Sequence, residues 1–390
     1  MISSDDKQPR WKSIAWTFAL VLATAVTICY AQAHNDGEHA TKKDPRAFLS
    51  QPLTVGWRYG SDLTLNLTPA FDRDRIYLPL AGGIIVSLKA GDGALNWRSE
   101  FGGELSASPV ADDRSVYVAS ETGKTESGTR RATGALRALG KEGGVTRWMR
   151  TLAMPLQGSL TLANGKLFGG GSDGNLFAFD SGTGELRWVF SYSAPFNSQP
   201  VVAGSRVYAG SEDGNLVVLD EQTGKFLWRY RTRGPVRGPA ATRDDVIFFG
   251  SLDSYVYAMT INGRPLWRRR TGAGVQAVVR AGEDLLVASL DNFVYKFSVT
   301  GKQLWKRQMP GRISSQPLIT DLEALFTPLS SSAGVVLELR DGRQVNSLPV
   351  GEEITSSASP ILVGSVVLLT TEHGLLAFSQ PRGIAPLNKN

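Results

Sequence analysis

Few residues in this chain combine types and spacings that could do covalent chemistry. Ser172 sits in Gly170-Gly-Ser-Asp-Gly174, which fits the Gly-x-Ser-x-Gly frame of a nucleophile elbow. An elbow needs a strand, a sharp turn and then a helix to lift the hydroxyl above a sheet. Here a second apolar run, NLFAFD, follows instead, and the same spot reads GSEDG and GSLDS further along. The overlapping stretch 169–174 fits Gly-x-Gly-x-x-Gly and fails for the same reason, since no helix N-terminus follows to hold a pyrophosphate. Asp173, Asp213, Asp253 and Asp291 recur once per forty or so residues. A calcium loop needs several oxygens per site, so one carboxylate per turn reads as hairpin chemistry. His373 stands alone in the turn TEHG, and His34 and His39 lie in a polar stretch. No His, Cys and Asp set has metal-ligand spacing. The sequence therefore assigns no catalytic, cofactor-binding or metal residue, and the expectation is a protein that is not an enzyme and carries no cofactor.

The remaining chemistry is cationic. Three segments after successive tryptophans are basic: WRYRTRGPVRG (228–238), WRRRTG (267–272) and WKRQMPGR (305–312). Arg229, Arg231 and Arg233 alternate, which puts them on one face of a strand. Arg237 and Arg312 fall in loops that lead into the next segment. One reading is edge protection, because Lys and Arg on an outer strand discourage edge-to-edge pairing. The other is a basic sector that meets an acidic envelope protein or an anionic lipid surface. On the second reading the partner-binding residues are Arg231, Arg233, Arg237, Arg269 and Arg312. The whole chain of 390 residues carries a formal charge of +6. That is too small to argue for nucleic acid.

These residues must be positioned by a repeat. FAFDSGTGELRW (177–188) is written again as VVLDEQTGKFLW (217–228). Trp57, Trp97, Trp148, Trp188, Trp228, Trp267 and Trp305 stand at intervals of 40, 51, 40, 40, 39 and 38 residues. A further 40 residues on, Val345 takes the place of an eighth indole. A period near 40 marks stacked or radial copies of one supersecondary unit. Each copy holds four short runs rich in β-branched and aromatic residues, bounded by Gly and Asp turns. The sequence therefore predicts an all-β, eight-bladed β-propeller over 52–380, with four antiparallel strands per blade. The strand around Trp57 has no set before it and the last set has no tryptophan strand after it, so the N-terminal strand is expected to close the last blade. Each tryptophan is expected to dock one blade on the next. Burying about 200 Å² of indole is worth roughly 5 kcal/mol at most.

AFDSGTGELRW (178–188) resembles the tryptophan-docking repeat Ala-x-Asp-x-x-Thr-Gly-x-x-x-Trp of PQQ-type eight-bladed propellers. Ala178, Asp180, Thr183, Gly184 and Trp188 match, and Asp220, Thr223, Gly224 and Trp228 match in the next copy. Two branches of that class are relevant. The quinoprotein dehydrogenases bind pyrroloquinoline quinone and calcium, are longer, and usually carry an adjacent Cys-Cys pair that is missing here. The chain is more similar to the BamB family of outer-membrane assembly factors in length, in its leader and short tether, and in Arg343-Gln344-Val345 at the last indole slot. That family is normally lipidated at a cysteine and contacts its barrel partner through a Leu-, Ser- and Arg-bearing loop. Here Ile28 precedes Cys29, which is not a lipidation signal, and the matching stretch 189–200 is shorter and has no Arg.

Residues 13–33 carry no charge and end in Ala31-Gln32-Ala33, a pattern expected of a signal peptide cut after Ala33. The alternative is an uncleaved N-terminal anchor. Cleavage removes Cys29, the only cysteine, and leaves a net charge of +5. Residues 34–51 read as a tether, 381–390 as a tail, and the polar stretch 121–134 as an inserted loop that lengthens one repeat. The resemblance implies a periplasmic or secreted scaffold, a monomer within a complex, with envelope proteins such as the outer-membrane barrel-assembly machinery as partners. The competing readings are a PQQ-dependent oxidoreductase, or a degenerate relative of one, and a ligand-binding propeller.

Overall fold

The computed structural model describes residues 49–122 and 133–381, and no helix occurs among them. Thirty-two strands, from Thr54–Gly60 to Gly374–Ser379, form seven sheets. Six sheets have four strands and one has eight. The eight-stranded sheet is two antiparallel meanders joined by a short parallel pairing, Gly158 with Ala107 and Ser159 with Ser108. The leader 1–33, most of the tether, residues 123–132 of the inserted loop and the tail beyond Pro381 lie outside the described residues. Thr122 and Thr133 close the base of that loop, with Thr122 N–H donating to Thr133 O at 2.8 Å.

One meander shows why the sequence folds this way. Val207, Tyr208 and Ala209 on Arg206–Gly210 are buried, as are Leu216, Val217, Val218 and Leu219 on Asn215–Asp220. Alternate side chains point to opposite faces, and both faces are covered. Val217 and Val207 pack with Phe168 and Trp188 of the preceding sheet. Val218 and Tyr208 pack with Ile247 and Phe249 of the following one. The sheets therefore stack face to face in chain order. The tryptophan strand, Phe226–Arg231, runs along the exposed edge of its sheet.

The hairpin before each tryptophan strand works as its residue types require. Asp180 Oδ1 accepts the N–H groups of Gly182 and Thr183 at 3.0 and 2.9 Å. Gly184 then takes φ +70°, a region an L side chain rarely occupies. Its N–H donates back to Asp180 O at 2.8 Å.

The first and last of the described strands meet. Thr54–Gly60 pairs antiparallel with Gly374–Ser379, Trp57 facing Ala377. It thus supplies the outer strand of the sheet built by the last three strands. Leu49 is fully buried beside Val336 and Leu348. Side chains also link the last repeat to the first. Ser357 N–H donates to Asn66 Oδ1 at 3.3 Å and Ser359 N–H to Thr68 Oγ1 at 3.0 Å.

One sequence expectation needs correction. The register places Asn346 opposite Val336, where the other repeats carry their indole, and Val345 is the bulged residue before it. Asn346 Nδ2 donates to Leu49 O at 2.6 Å and to Gln51 O at 2.9 Å. A constant period of 40 lands one residue short because the repeat length drifts.

Candidate functional site

Each of the seven indoles donates its Nε1–H to a main-chain carbonyl of the next meander. Trp57 reaches Ala90 at 2.9 Å, Trp97 reaches Lys141 at 2.7 Å and Trp148 reaches Ser181 at 3.1 Å. Trp188 reaches Glu221 at 3.0 Å and Trp228 reaches Ile261 at 2.9 Å. Trp267 reaches Val299 at 2.9 Å and Trp305 reaches Leu339 at 3.1 Å. The ring lies on the turn glycine of that same neighbour. A Cβ added at Gly184 would stand 2.5 Å from the Trp148 ring, and one at Gly224 would stand 2.6 Å from Trp188. The conformational need for glycine and the need for a flat surface thus fall on one residue.

The five arginines singled out by sequence separate into three kinds. Arg269 Nε donates to Gly301 O of the next meander at 2.6 Å, and its guanidinium lies 5.8 Å from the Trp267 ring centroid. Arg150 and Arg307 make the same bond, to Gly184 O at 2.8 Å and Gly342 O at 3.1 Å. The position two residues after the indole is therefore a cross-sheet clamp, and Arg269 is engaged within the protein. Arg237 grips Glu212 of the preceding meander with two nitrogens, Nε at 2.9 Å and Nη2 at 2.8 Å. That hydrogen-bonded guanidinium holds the Glu212 carboxyl below its ordinary range, against the opposing effect of burial. Arg231, Arg233 and Arg312 have exposed side chains and make no ion pair among the described residues. Arg233 is fixed only by its backbone N–H, which donates to Asp253 Oδ2 at 2.9 Å.

Arg268, Arg270 and Lys306 are also exposed or half-buried cations with no ion pair among the described residues. Arg268 stacks over Tyr255, 4.9 Å from its centroid, and Lys306 Nζ lies 3.7 Å from the Phe293 centroid. Cations of other tryptophan strands are partnered instead. Arg58 pairs with Glu353 at 3.0 Å, Arg98 with Glu100 at 3.2 Å and Arg187 with Asp180 at 2.6 Å. The signal for these additional cations was the tripeptide Leu-Trp-Arg or Leu-Trp-Lys, repeated in three neighbouring copies.

The turn aspartates are committed to their own loops. Asp253 accepts from Arg233 N–H, Tyr255 N–H and the Tyr257 hydroxyl, and Asp291 from Gly272 N–H, Phe293 N–H and the Tyr295 hydroxyl. Ser172 stands in such a turn and leads into the strand Asn175–Asp180. His373 Nδ1 lies 3.2 Å from Asp62 Oδ1, with both side chains exposed.

Where the sheet edges opposite the tryptophans converge, two repeats distant in sequence touch. Gln316 Nε2 donates to Gln199 Oε1 at 3.1 Å. Around them Gln316 N–H donates to Ser359 Oγ at 3.1 Å and Thr68 N–H to Ser108 Oγ at 3.0 Å. Among the described residues no three His, Cys, Asp or Glu side chains converge to hold a metal ion. Gln199, Gln316, Ser359, Thr68 and Ser108 bring no carboxylate to that point, and protein calcium sites are built on carboxylates with carbonyl oxygens beside them.

Stacked four-stranded antiparallel meanders, seven of their joints made by an indole and one by Asn346, define a β-propeller of the PQQ-like repeat class. The sequence profile described as outer membrane protein assembly factor BamB matches residues 35–131, 132–251 and 234–387. The chain belongs to that family. No curated protein matches its sequence. BamB from Moraxella catarrhalis shares the fold at 17% identity and a TM-score of 0.69, over 86% of this chain and 99% of that one. The computationally designed Ika8 protein does so at 14% and 0.71, over 83% and 99%. Quinohemoprotein alcohol dehydrogenase from Comamonas testosteroni does so at 12% and 0.68, over 86% and 78%. A fold shared by an assembly factor, a designed chain and a redox enzyme does not choose among their chemistries.

Proposed function

We propose that this chain is an eight-bladed propeller, its last blade closed by the N-terminal strand, that works without catalysis as an interaction scaffold of the bacterial envelope. On this reading residues 1–33 direct export, 34–51 tether, and 52–380 form the ring. The ring sits in the periplasm as a monomer within a complex and assists outer-membrane protein assembly, with components of the barrel-assembly machinery as its partners. Family membership supports the role. The observation that carries it is the segregation of cations. Arg231, Arg233 and Arg312 stand exposed and unpaired in one sector, while Arg58, Arg98 and Arg187 on three other tryptophan strands are ion-paired. Exposed unpaired cations on one sector attract an acidic partner and steer its approach.

Crosslinking capture from the native envelope tests this. Barrel-assembly components should be recovered with the parent chain and lost with Arg231→Glu, Arg233→Glu and Arg312→Glu together, at an unchanged melting temperature. Recovery that ignores the triple reversal would reduce these cations to edge protection. The redox reading, which the dehydrogenase likeness favours, has its own test. Pyrroloquinoline quinone with calcium should neither raise the melting temperature nor support dye reduction, and a shift with turnover would replace the scaffold by an enzyme.

A further inference from the structure

Three consecutive tryptophan strands, Phe226–Arg231, Pro265–Arg270 and Gln303–Gln308, share a pattern found in no other described repeat. Their sheets are packed neighbours. In each, the residue before the indole is the extra residue of a β-bulge, unpaired in the ladder. That residue is Leu227, Leu266 or Leu304, exposed at 42%, 47% and 43%. The same bulge position elsewhere holds Gly56, Asn96, Arg147, Arg187 and Val345.

Beyond each indole the strand turns cationic. Arg229 and Arg231, Arg268 and Arg270, and Lys306 occupy alternating positions, and none of the three strands carries a carboxylate. The Arg268 guanidinium and the Lys306 ammonium each lie over an aromatic face, and Arg229 Nη1 donates to the Tyr192 hydroxyl at 3.4 Å. No carboxylate pairs with any of these cations among the described residues, so their charge is left for an outside anion.

We infer that this wall rests on an anionic lipid surface, with the leucines entering the headgroup boundary and the cations meeting lipid phosphates. A folded acidic protein would need carboxylates at the spacing of these strands, and an acceptor set and a pocket to fix its register. The wall offers single leucines on three separate sheets and charges of one sign only. A fluid headgroup layer meets each of them wherever it stands. The inference goes beyond the scaffold reading, which uses Arg231, Arg233 and Arg312 to bind protein; the two share Arg231 alone, and neither needs the other.

The test is co-flotation of the full chain with vesicles of phosphatidylglycerol and phosphatidylcholine in equal parts, against vesicles of phosphatidylcholine alone. Binding should favour the anionic vesicles by at least about tenfold and fall as salt rises. Arg268→Gln with Arg270→Gln and Lys306→Gln should weaken it by about fivefold per charge. Arg268→Lys with Arg270→Lys should keep it, and Leu227→Ser with Leu266→Ser and Leu304→Ser should weaken it at every salt concentration. Arg98→Gln with Arg187→Gln, outside the wall, should change nothing, and millimolar inorganic phosphate should not release the chain. Equal binding to both vesicles, the mark of attachment through the apolar stretch 13–33, would overturn the inference. So would binding unmoved by the wall variants, release by free phosphate, or retention on polyglutamate with none on vesicles.

Discussion

At the scale of single residues, Trp188 and Gly224 form one device divided between two repeats. The ring of one copy needs the missing side chain of the next. Trp188→Ala should cost about 3–5 kcal/mol, the range for losing a buried large aromatic. Trp188→Phe keeps most of the area and loses the bond to Glu221 O, so about 1 kcal/mol is expected. Gly224→Ala adds about 1–2 kcal/mol of left-handed backbone strain to the clash. Chemical denaturation measures all three, and a Gly224→Ala variant as stable as the parent would refute the shared device. The Arg237–Glu212 pair predicts a pH effect of defined sign. The folded carboxyl titrates below its ordinary 4.5, so the stabilisation is complete above that pH and is lost as pH falls through the depressed value. Arg237 is half exposed, which limits the gain to about 1 kcal/mol. Arg237→Gln should therefore be slightly less stable than the parent near neutrality and equal to it in acid. A deficit that persists or grows in acid would contradict the assignment. The sequence displayed Arg237 and Arg269 as charges. It could not display Glu212 or Gly301 O as their partners, because a contact between sheets is a distance and not a composition.

At the scale of elements, the strands and hairpins were legible because each is built from local rules. The Asp-to-Gly turn, the alternating apolar runs and the glycine four residues before most indoles need no knowledge of the neighbouring sheet. The eighth indole slot was misplaced by one residue for the opposite reason. Asn346 is identified by its cross-strand partner Val336 and by its bond to Leu49 O, which an interval count cannot see. Asn346 does there what the indole Nε1–H does elsewhere, donating to the backbone of the adjoining segment. Asn346→Leu should remove two hydrogen bonds, costing about 1–2 kcal/mol. The loss should be local. Hydrogen exchange should quicken in Thr54–Gly60 and the residues just before it, while Asn215–Asp220 keeps its protection. Uniform quickening across both segments would show that Asn346 is not a seam residue.

At the scale of the whole molecule, the proposed ring depends on its ends more than on any repeat between them. Each internal meander comes from one stretch of chain. The seam sheet joins Thr54–Gly60 to Gly374–Ser379 across more than three hundred residues, so its closure entropy is the largest in the fold. What offsets that cost is the Trp57 contact with Ala90 and Gly93, the Asn346 bonds, and the inner links from Ser357 and Ser359 to Asn66 and Thr68. Deleting residues 1–60 removes the outer strand and leaves Gly374–Ser379 with unpaired backbone donors and acceptors along a flat edge. An open edge of that kind pairs with another chain. The truncated protein should therefore form dimers or larger species by light scattering at concentrations where the parent is monomeric. Adding a peptide of residues 49–60 should restore the monomer by refilling the strand position, and Trp57→Ala in that peptide should weaken the rescue about a hundredfold or more, as a loss of about 3 kcal/mol requires. A truncated chain that stays monomeric and melts with the parent would mean that the ring is held by its inner contacts alone and that the N-terminal strand is dispensable to it.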